Sequence, residues 1–305
     1  MNNGKVSWRG NFPAVVTPFT ISGEIDEAKF SENIELLISE GVHGIVVSGS
    51  NGESWAMDGD EKLRLLKLAK DAASGKVPVI LGTGSIVTPK VTLLSAKAKK
   101  GGADGVMLMP PYYAKVNRRE VVAHFKAISD GSKIPILLYN SPKATCVDIT
   151  ADFCRELAEI EYVVAIKQSC DDFVELEATI NAVGDRMQVF SGKSASRGMA
   201  SVLLGCVGLV SSNDPHIMGR EGISLFELSA KGDVEEAKRV QKRTLALDLA
   251  LSNIGTGPAT MKAAMNMVGR PGGYPRPPLL ELNEEEKDKV RAILDTLGIL
   301  KKSAA

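Results

Sequence analysis

Eight short apolar runs, separated by stretches with helical spacing, constrain the fold of this 305-residue chain more than any other feature. The runs cover residues 12–17, 44–49, 77–82, 105–109, 134–139, 162–167, 187–192 and 207–212. Because they lack polar alternation, they indicate strands that are covered on both faces, as in parallel sheets. Between the first two runs, one face of a predicted helix carries Phe30, Ile34, Leu37 and Ile38. Eight strands with helical crossovers favour a closed TIM (β/α)8 barrel over an open doubly wound sheet.

The strand pattern stops near Glu221, and the rest of the sequence predicts helices only. These helices are expected over residues 225–230, 234–251, 259–268 and 284–297. We therefore predict an α/β chain with a catalytic barrel domain over residues 1–223 and a C-terminal α-helical domain over residues 224–305. The helical domain is expected to pack on the barrel or on another subunit.

Charge and composition exclude several classes of protein. Lysine plus arginine and aspartate plus glutamate both number 37, so the chain offers no strong field for nucleic acid or an anionic membrane. The opening residues show no signal-peptide pattern and no apolar stretch is long enough to span a membrane, so we expect a cytoplasmic protein. The spacing of the four cysteines and three histidines predicts reduced, mostly buried thiols and no metal site.

Polar side chains stand where several predicted strands end. Lys167 closes the sixth strand, Tyr139 closes the fifth, and Tyr112 and Tyr113 follow the fourth. The second strand leads into the loop GSNGE, residues 49–53. Each feature alone is typical of an ordinary loop or packing residue. In a barrel, however, the carboxyl ends of the strands share one active-site face, so these side chains are expected to meet there.

A lysine at such a mouth can act as a nucleophile. An ordinary lysine amine, with a pKa of about 10.4, is almost fully protonated at pH 7, and burial increases the share of free amine. The free amine of Lys167 would form a Schiff base with a ketone, whose nitrogen then stabilises a neighbouring carbanion as an enamine. Tyr139 is the candidate proton relay. Backbone N–H groups of the GSNGE loop and the Ser50 hydroxyl would bind the substrate's carboxylate.

Several segments resemble the dihydrodipicolinate synthase/N-acetylneuraminate lyase superfamily, and the likeness extends over nearly the whole chain. They are GNFPAVVTPF (10–19), GIVVSGSNGESWAMDGDE (44–61), MPPYYAKV (109–116), YNSP (139–142) and AIKQS (165–169). The resemblance implies a TIM barrel with a C-terminal helical domain, commonly a homotetramer built as a dimer of dimers. It also implies a Lys167 Schiff base with pyruvate or another 2-oxo acid, without a metal or organic cofactor.

The same resemblance implies roles for individual residues. Tyr139 matches the proton relay, Ser50 matches the hydroxyl that joins this relay, and Tyr113 matches a tyrosine that reaches into the neighbouring subunit's site. These three residues and Lys167 are the catalytic candidates. The substrate-binding candidates are Gly49, Ser50, Asn51, Gly52 and Leu209.

Two departures from the family pattern bear on the second substrate. In dihydrodipicolinate synthases, the sequence of the carboxylate loop is similar to GTTGE. These enzymes also carry an arginine two residues after the YNxP proline, and this arginine holds the aldehyde's carboxylate. This chain has Asn51 in the loop and Ala144 at the arginine position. Lys143 is a possible substitute, although it lacks the bidentate guanidinium fork. The GSNGE loop is more similar to that of 4-hydroxy-2-oxoglutarate aldolases.

The leading hypothesis is a class I lyase that condenses pyruvate with an aldehyde or cleaves a 2-oxo acid to pyruvate, like a 4-hydroxy-tetrahydrodipicolinate synthase. An aldolase or dehydratase for 4-hydroxy-2-oxoglutarate or a 2-oxo-3-deoxy sugar acid uses the same imine and ranks level with it. A remoter alternative is a catalytically silent barrel that binds a 2-oxo acid as a sensor or serves as an assembly scaffold.

Overall fold

Eight parallel strands form the centre of the computed structural model, which describes residues 6–300. The strands are β1 (Gly10–Asn11), β2 (Ile45–Val47), β3 (Val79–Gly82), β4 (Gly105–Leu108), β5 (Ile136–Asn140), β6 (Val163–Gln168), β7 (Gln188–Ser191) and β8 (Gly208–Leu209). Hydrogen bonds link them in the order β1-β8-β7-β6-β5-β4-β3-β2. A parallel bridge between Ala14 and Val46 joins the two ends of this series. The predicted TIM barrel is confirmed.

Seven of the eight predicted strands coincide with or overlap the observed ones. The first prediction, residues 12–17, is wrong in position: β1 is Gly10–Asn11, and the later segment contributes the Ala14 bridge and irregular backbone hydrogen bonds to the neighbouring strands. Pro13 interrupts this segment and has no N–H to donate to a ladder. The residues are nevertheless buried, so their apolar character reflects burial rather than regular pairing.

Helices alternate with the strands and continue after the last of them. They are α1 (Glu27–Ser39), α2 (Gly59–Ala73), α3 (Thr88–Lys100), α4 (Arg118–Ser132), α5 (Pro142–Thr145), α6 (Ala151–Leu157), α7 (Phe173–Val183), α8 (Ser194–Leu203), α9 (Asn213–Met218), α10 (Arg220–Lys231), α11 (Val234–Leu251), α12 (Gly257–Met267) and α13 (Glu284–Thr296). A short 3-10 turn, Ser54–Ala56, precedes α2. The four helices predicted beyond Glu221 correspond to α10–α13.

The start of α2 is well defined by its sequence. Asp58 accepts hydrogen bonds from the backbone N–H groups of Asp60 and Glu61, and the Glu61 side chain accepts one from Asp58 N in return. This capping box satisfies N–H groups that have no partner within the helix. Because α2 begins a few residues after the GSNGE loop, the box helps to define where that loop ends.

Apolar side chains are buried in separate layers. One layer fills the space between the strands and the surrounding helices, and a smaller one lies inside the barrel around Phe12 and Phe190. A third joins the end of the barrel to the C-terminal helices through Val16, Leu247 and Met265. In the part of the chain that is described, no helix combines the length and apolar character that crossing a bilayer requires.

Candidate active site

Lys167 and Tyr139 lie side by side at the carboxyl ends of β6 and β5. The parallel register pairs their Cα atoms directly, so both side chains point to the same side of the sheet. Lys167 Nζ lies 3.9 Å from the centroid of the Tyr139 ring. Only 7% of Lys167 is exposed, although lysine is among the residues least often buried in proteins.

The environment of Tyr139 favours the loss of its proton. The charge of Lys167 is the main reason that the pKa of the phenol lies below its ordinary value. Burial acts in the opposite direction, whereas the hydroxyl groups of Ser141 and Ser50 and the Lys167 amine lower the pKa further. A phenol that gives up its proton more readily is suited to proton transfer at the adjacent amine.

The GSNGE loop after β2 is held in a compact turn. Gly52 N and Ser54 N both donate to the carbonyl of Gly49, at 3.1 and 3.2 Å. The Asn51 side chain donates to Ala14 O at 3.2 Å and to Ser212 Oγ at 2.9 Å. Asn51 therefore ties the loop to the ends of the first and last strands.

A cavity of about 430 Å³ opens at this face of the barrel. Its wall is formed by residues that follow four neighbouring strands, as the strand-end pattern predicts. The sequence candidates in this wall are Gly49, Ser50, Tyr112 and Tyr139, and Ala144 lies in it as well. Further wall residues are Ser48, Ser54, Trp55, Met57, Lys62, Gly82, Gly84, Ser85, Met107 and Met109.

The remaining candidates, Lys167, Asn51, Gly52, Tyr113 and Leu209, are not among the wall residues. Tyr113 is 90% exposed and has a left-handed φ of 69°. Leu209 is fully buried in a cluster with Leu225, Phe226 and Val240, between the barrel and the helices. Gly52 packs against the segment that follows β1, and an added Cβ at Gly52 would lie 2.9 Å from Val15 O.

Lys143 does not join Ala144 in the cavity wall. Its ammonium group pairs with Asp171 at 2.7 Å, and its side chain is 83% exposed. Lys143 and Lys193 together lower the pKa of Asp171 to about 2. Lys143 is thus engaged at the surface.

Two residues that sequence reasoning missed contribute to the site. An added Cβ at Gly192, directly after β7, would overlap Ser169 Oγ and lie 2.9 Å from Lys167 Cε, so this glycine leaves room for both side chains. Lys62, on α2, is a buried cation in the cavity wall. Burial lowers the pKa of Lys62, and the charge of Asp58 opposes this effect. The apolar runs in the sequence do not indicate that either residue belongs to the site.

The thiols and histidines lie apart from this cavity. Cys154, Cys170 and Cys206 are buried, Cys146 is exposed, and all four are unpaired. Within residues 6–300, no group of three or more histidine, cysteine or acidic side chains is arranged to bind a metal ion.

Comparisons with known proteins agree with this geometry. The model of the dihydrodipicolinate synthetase family matches residues 7–297. A DapA-like lyase of Rhizobium meliloti, itself uncharacterised, is 38% identical over 300 residues, which are 97% of this chain and 98% of that relative. The 4-hydroxy-tetrahydrodipicolinate synthase of Thermodesulfovibrio yellowstonii is 34% identical over 294 residues, 96% of this chain and all of that relative.

A solved structure shows the same similarity in three dimensions. The chloride-inhibited dihydrodipicolinate synthase of Acinetobacter baumannii, crystallised with pyruvate, matches with a TM-score of 0.91 at 30% identity. The match covers 96% of this chain and all of that one. The resemblance noted in the sequence is therefore confirmed: the chain belongs to the dihydrodipicolinate synthetase family, and it is a lyase built on a (β/α)8 barrel.

Proposed function

We propose that the protein is a Schiff-base lyase in which Lys167 forms an imine with pyruvate or another 2-oxo acid. The observation that carries this proposal is the pairing of Lys167 with Tyr139 beside the cavity, with Nζ 3.9 Å from the ring centroid. A buried amine next to a phenol with a lowered pKa provides both a nucleophile and a proton relay. The pyruvate bound in the Acinetobacter baumannii structure supports this substrate class.

The proposed reaction proceeds through a covalent intermediate on Lys167. Unprotonated Nζ attacks C2 of the 2-oxo acid, and the resulting carbinolamine loses its hydroxyl group as water to give a protonated imine. Loss of a C3 proton gives an enamine, whose C3 attacks an aldehyde carbon while the aldehyde oxygen gains a proton. Water then hydrolyses the imine and releases Lys167. The reverse sequence cleaves a 2-oxo acid to pyruvate and an aldehyde.

The role of Tyr139 is to carry protons during imine formation. The Ser50 hydroxyl lies close enough to lower the pKa of this phenol, which supports Ser50 as the next member of the relay. Backbone N–H groups of the GSNGE loop are the proposed donors to the substrate's carboxylate. No metal or organic cofactor takes part in this proposal.

Borohydride trapping tests the covalent step. The protein is incubated with pyruvate and borohydride, digested, and examined by mass spectrometry for a reduced adduct. We expect the adduct at Lys167 in the native protein and in a Lys143→Arg control, and none in Lys167→Ala, which should also lose turnover while keeping its fold. If pyruvate binds by calorimetry but leaves no adduct at Lys167, the mechanism is rejected.

The second substrate has two candidates. Condensation with an aldehyde, as in 4-hydroxy-tetrahydrodipicolinate synthases, is supported by the relatives of that name. Cleavage or dehydration of 4-hydroxy-2-oxoglutarate or a 2-oxo-3-deoxy sugar acid is supported by Ala144, which leaves the cavity wall without the family's arginine while Lys143 is paired with Asp171.

A panel of aldehydes and 2-oxo acids separates these candidates when both pyruvate and the 2-oxo acid offered are measured. Turnover only with pyruvate plus an aldehyde supports condensation, and release of pyruvate from a single 2-oxo acid supports the aldolase. Consumption of a 2-oxo acid without release of pyruvate supports the dehydratase. Trapping of pyruvate at Lys167 without turnover of any member would favour the remoter alternative, a barrel that binds a 2-oxo acid without catalysis.

We also propose a homotetramer built as a dimer of dimers, in which Tyr113 reaches the site of a neighbouring subunit. The exposed ring of Tyr113 supports this contact. Light scattering after gel filtration should give four chains per particle, and Tyr113→Ala should lower both activity and the size of the particle. A fully active monomer would contradict the proposal. The cytoplasm is the proposed location, where unpaired thiols such as these persist.

A further inference from the structure

The loop that is proposed to bind the substrate's carboxylate ends on a fully buried carboxylate of its own. Glu53, the last residue of GSNGE, has a left-handed φ of 53° and no exposed surface. Its Oε1 accepts a hydrogen bond from Lys262 Nζ at 2.5 Å, and its Oε2 accepts one from the backbone N–H of Arg276 at 2.9 Å. Both donors belong to the C-terminal part of the chain, one of them on α12.

Lys262 is as deeply buried as its partner. Its side chain is 1% exposed, its Nζ also donates to the carbonyl of Tyr274 at 2.8 Å, and the same atom lies 4.6 Å from the centroid of the Phe19 ring. Burial lowers the pKa of Lys262 to about 8, against the opposing charge of Glu53. A buried charge that loses its partner is strongly unfavourable, so each member of this pair holds the other in place.

The ion pair holds the loop at Glu53, a residue with a left-handed backbone. A left-handed backbone is costly for a residue other than glycine and persists only where its surroundings enforce it. Glu53 N donates to Ser50 O at 3.1 Å, so the conformation of Glu53 is linked directly to the residue whose hydroxyl lies beside Tyr139. Movement of the Glu53 side chain would therefore be transmitted to Ser50.

We propose that Lys262 is a positioning residue of the active site, which keeps the GSNGE loop in its substrate-binding shape through the buried ion pair with Glu53. This inference rests on the proposed function, because it takes the loop as the carboxylate site. The C-terminal helices thereby contribute to 2-oxo acid affinity without touching the substrate.

A second ion pair across the same region supplies a matched control. Arg270 pairs at 2.6 Å with Glu40, the residue directly after α1, and both side chains are mostly buried. This pair also joins the C-terminal part of the chain to the barrel, but neither residue belongs to the loop or to the cavity wall. Loss of either pair should lower stability, and only loss of the Lys262 pair should lower affinity for the 2-oxo acid.

The experiment compares Lys262→Met with Arg270→Met in the full chain, after circular dichroism has shown that each variant is folded. The readout is the pyruvate concentration that gives half-maximal borohydride-trapped adduct at Lys167. We expect an increase of about tenfold or more for Lys262→Met and less than about twofold for Arg270→Met. An unchanged value for folded Lys262→Met, or equal increases in both variants, overturns the proposal.

A milder variant covers the case in which Lys262→Met does not fold. Glu53→Gln keeps the shape of the side chain and removes its charge, and it should raise the same half-maximal concentration by a smaller factor. An unchanged value for this variant would likewise overturn the proposal. The proposed function is rejected separately, by the absence of an adduct in the native protein. In that case, calorimetry measures whether Lys262→Met weakens the binding of pyruvate.

Discussion

The Lys167 side chain is confined from two directions, by the Tyr139 ring and by the backbone at Gly192. A Cβ on Gly192 would overlap the Ser169 hydroxyl and would lie 2.9 Å from Lys167 Cε and 3.1 Å from its Cγ. The backbone of Gly192 is not left-handed, since no positive φ occurs there. The glycine is therefore needed for space, and its absent side chain helps to determine where the amine is held.

Gly192→Ala should displace the Ser169 hydroxyl and the Lys167 side chain. It should slow imine formation by about 10- to 100-fold, because small errors in the position of a reacting group are costly. Gly257→Ala is the control, since a Cβ there would meet no atom within 4 Å. The rate of borohydride-trapped adduct formation at saturating pyruvate measures the effect. Equal rates in the two variants would show that Lys167 tolerates the added methyl group.

Tyr139→Phe should lower kcat by about a hundredfold or more, because proton transfer by a positioned side chain contributes at least this much. The ring that packs against Lys167 remains, so the fold and the melting temperature should be almost unchanged. Steady-state kinetics and thermal unfolding together measure both quantities. A variant with native kcat would exclude the phenol from the relay.

Sequence reasoning could identify Lys167 and Tyr139 because each is a polar residue at the end of an apolar run. Gly192 and Lys62 carry no such mark. Their importance comes from distances between segments that are far apart along the chain, and these distances depend on how the strands and helices pack. The same limit applies to Lys143, whose ion pair with Asp171 requires α5 to meet the loop after β6.

The ends of β5 and β6 are locked together by a buried amide network. Asn140 Nδ2 donates to Gln168 Oε1 at 2.7 Å and to Asp148 Oδ1 at 2.8 Å, and its own Oδ1 accepts from Ile149 N at 3.0 Å. Both Asn140 and Gln168 are fully buried. The network follows Tyr139 and Lys167 by one residue on each strand, so it keeps these two strand ends in register.

Gln168→Leu should lower the free energy of unfolding by about 1 to 3 kcal/mol, because the Asn140 amide would lose a buried partner. Urea denaturation followed by circular dichroism measures the loss. We also expect slower adduct formation at Lys167, since the two strand ends become less rigid. An unchanged midpoint would mean that buried water or another side chain replaces the lost partner.

Most strands could be predicted because a strand in a barrel is buried on both faces and so reads as an apolar run. The first strand is the exception, since residues 12–17 are buried but continue beyond β1 with irregular backbone hydrogen bonds to both neighbouring strands and only one bridge, at Ala14. Burial determines composition, whereas hydrogen-bond pairing also depends on prolines and on the neighbouring strand. The sequence therefore could not show which residues of this segment form the first strand of the barrel.

Where the barrel meets the C-terminal helices, the molecule buries an acid at a cost to its stability. Asp214 on α9 has no exposed surface, and its Oδ1 accepts from Ser194 Oγ at 3.1 Å and from Ser212 N at 3.2 Å. Its Oδ2 has no hydrogen-bond partner. Burial raises the pKa of this carboxyl group to about 6, although both hydrogen bonds oppose the shift.

Asp214→Asn should become stabilising relative to the native protein as the pH rises. With its pKa raised, the folded protein holds the Asp214 proton more tightly than the unfolded chain, so folding is favoured at low pH and loses stability between about pH 4 and 6. The full penalty above pH 6 is about 3 kcal/mol. Urea denaturation of both proteins at pH 5 and pH 8 should show about half of this penalty arising between the two pH values. A difference between the proteins that is independent of pH would contradict the prediction.

The pairing of Glu53 with Lys262 has a consequence for how the enzyme is made. The two residues are 209 positions apart, so a ribosome that has translated all eight strands has still not produced the ammonium group that this carboxylate requires. Competence to capture substrate should therefore arise late in synthesis, once the final helices have been made.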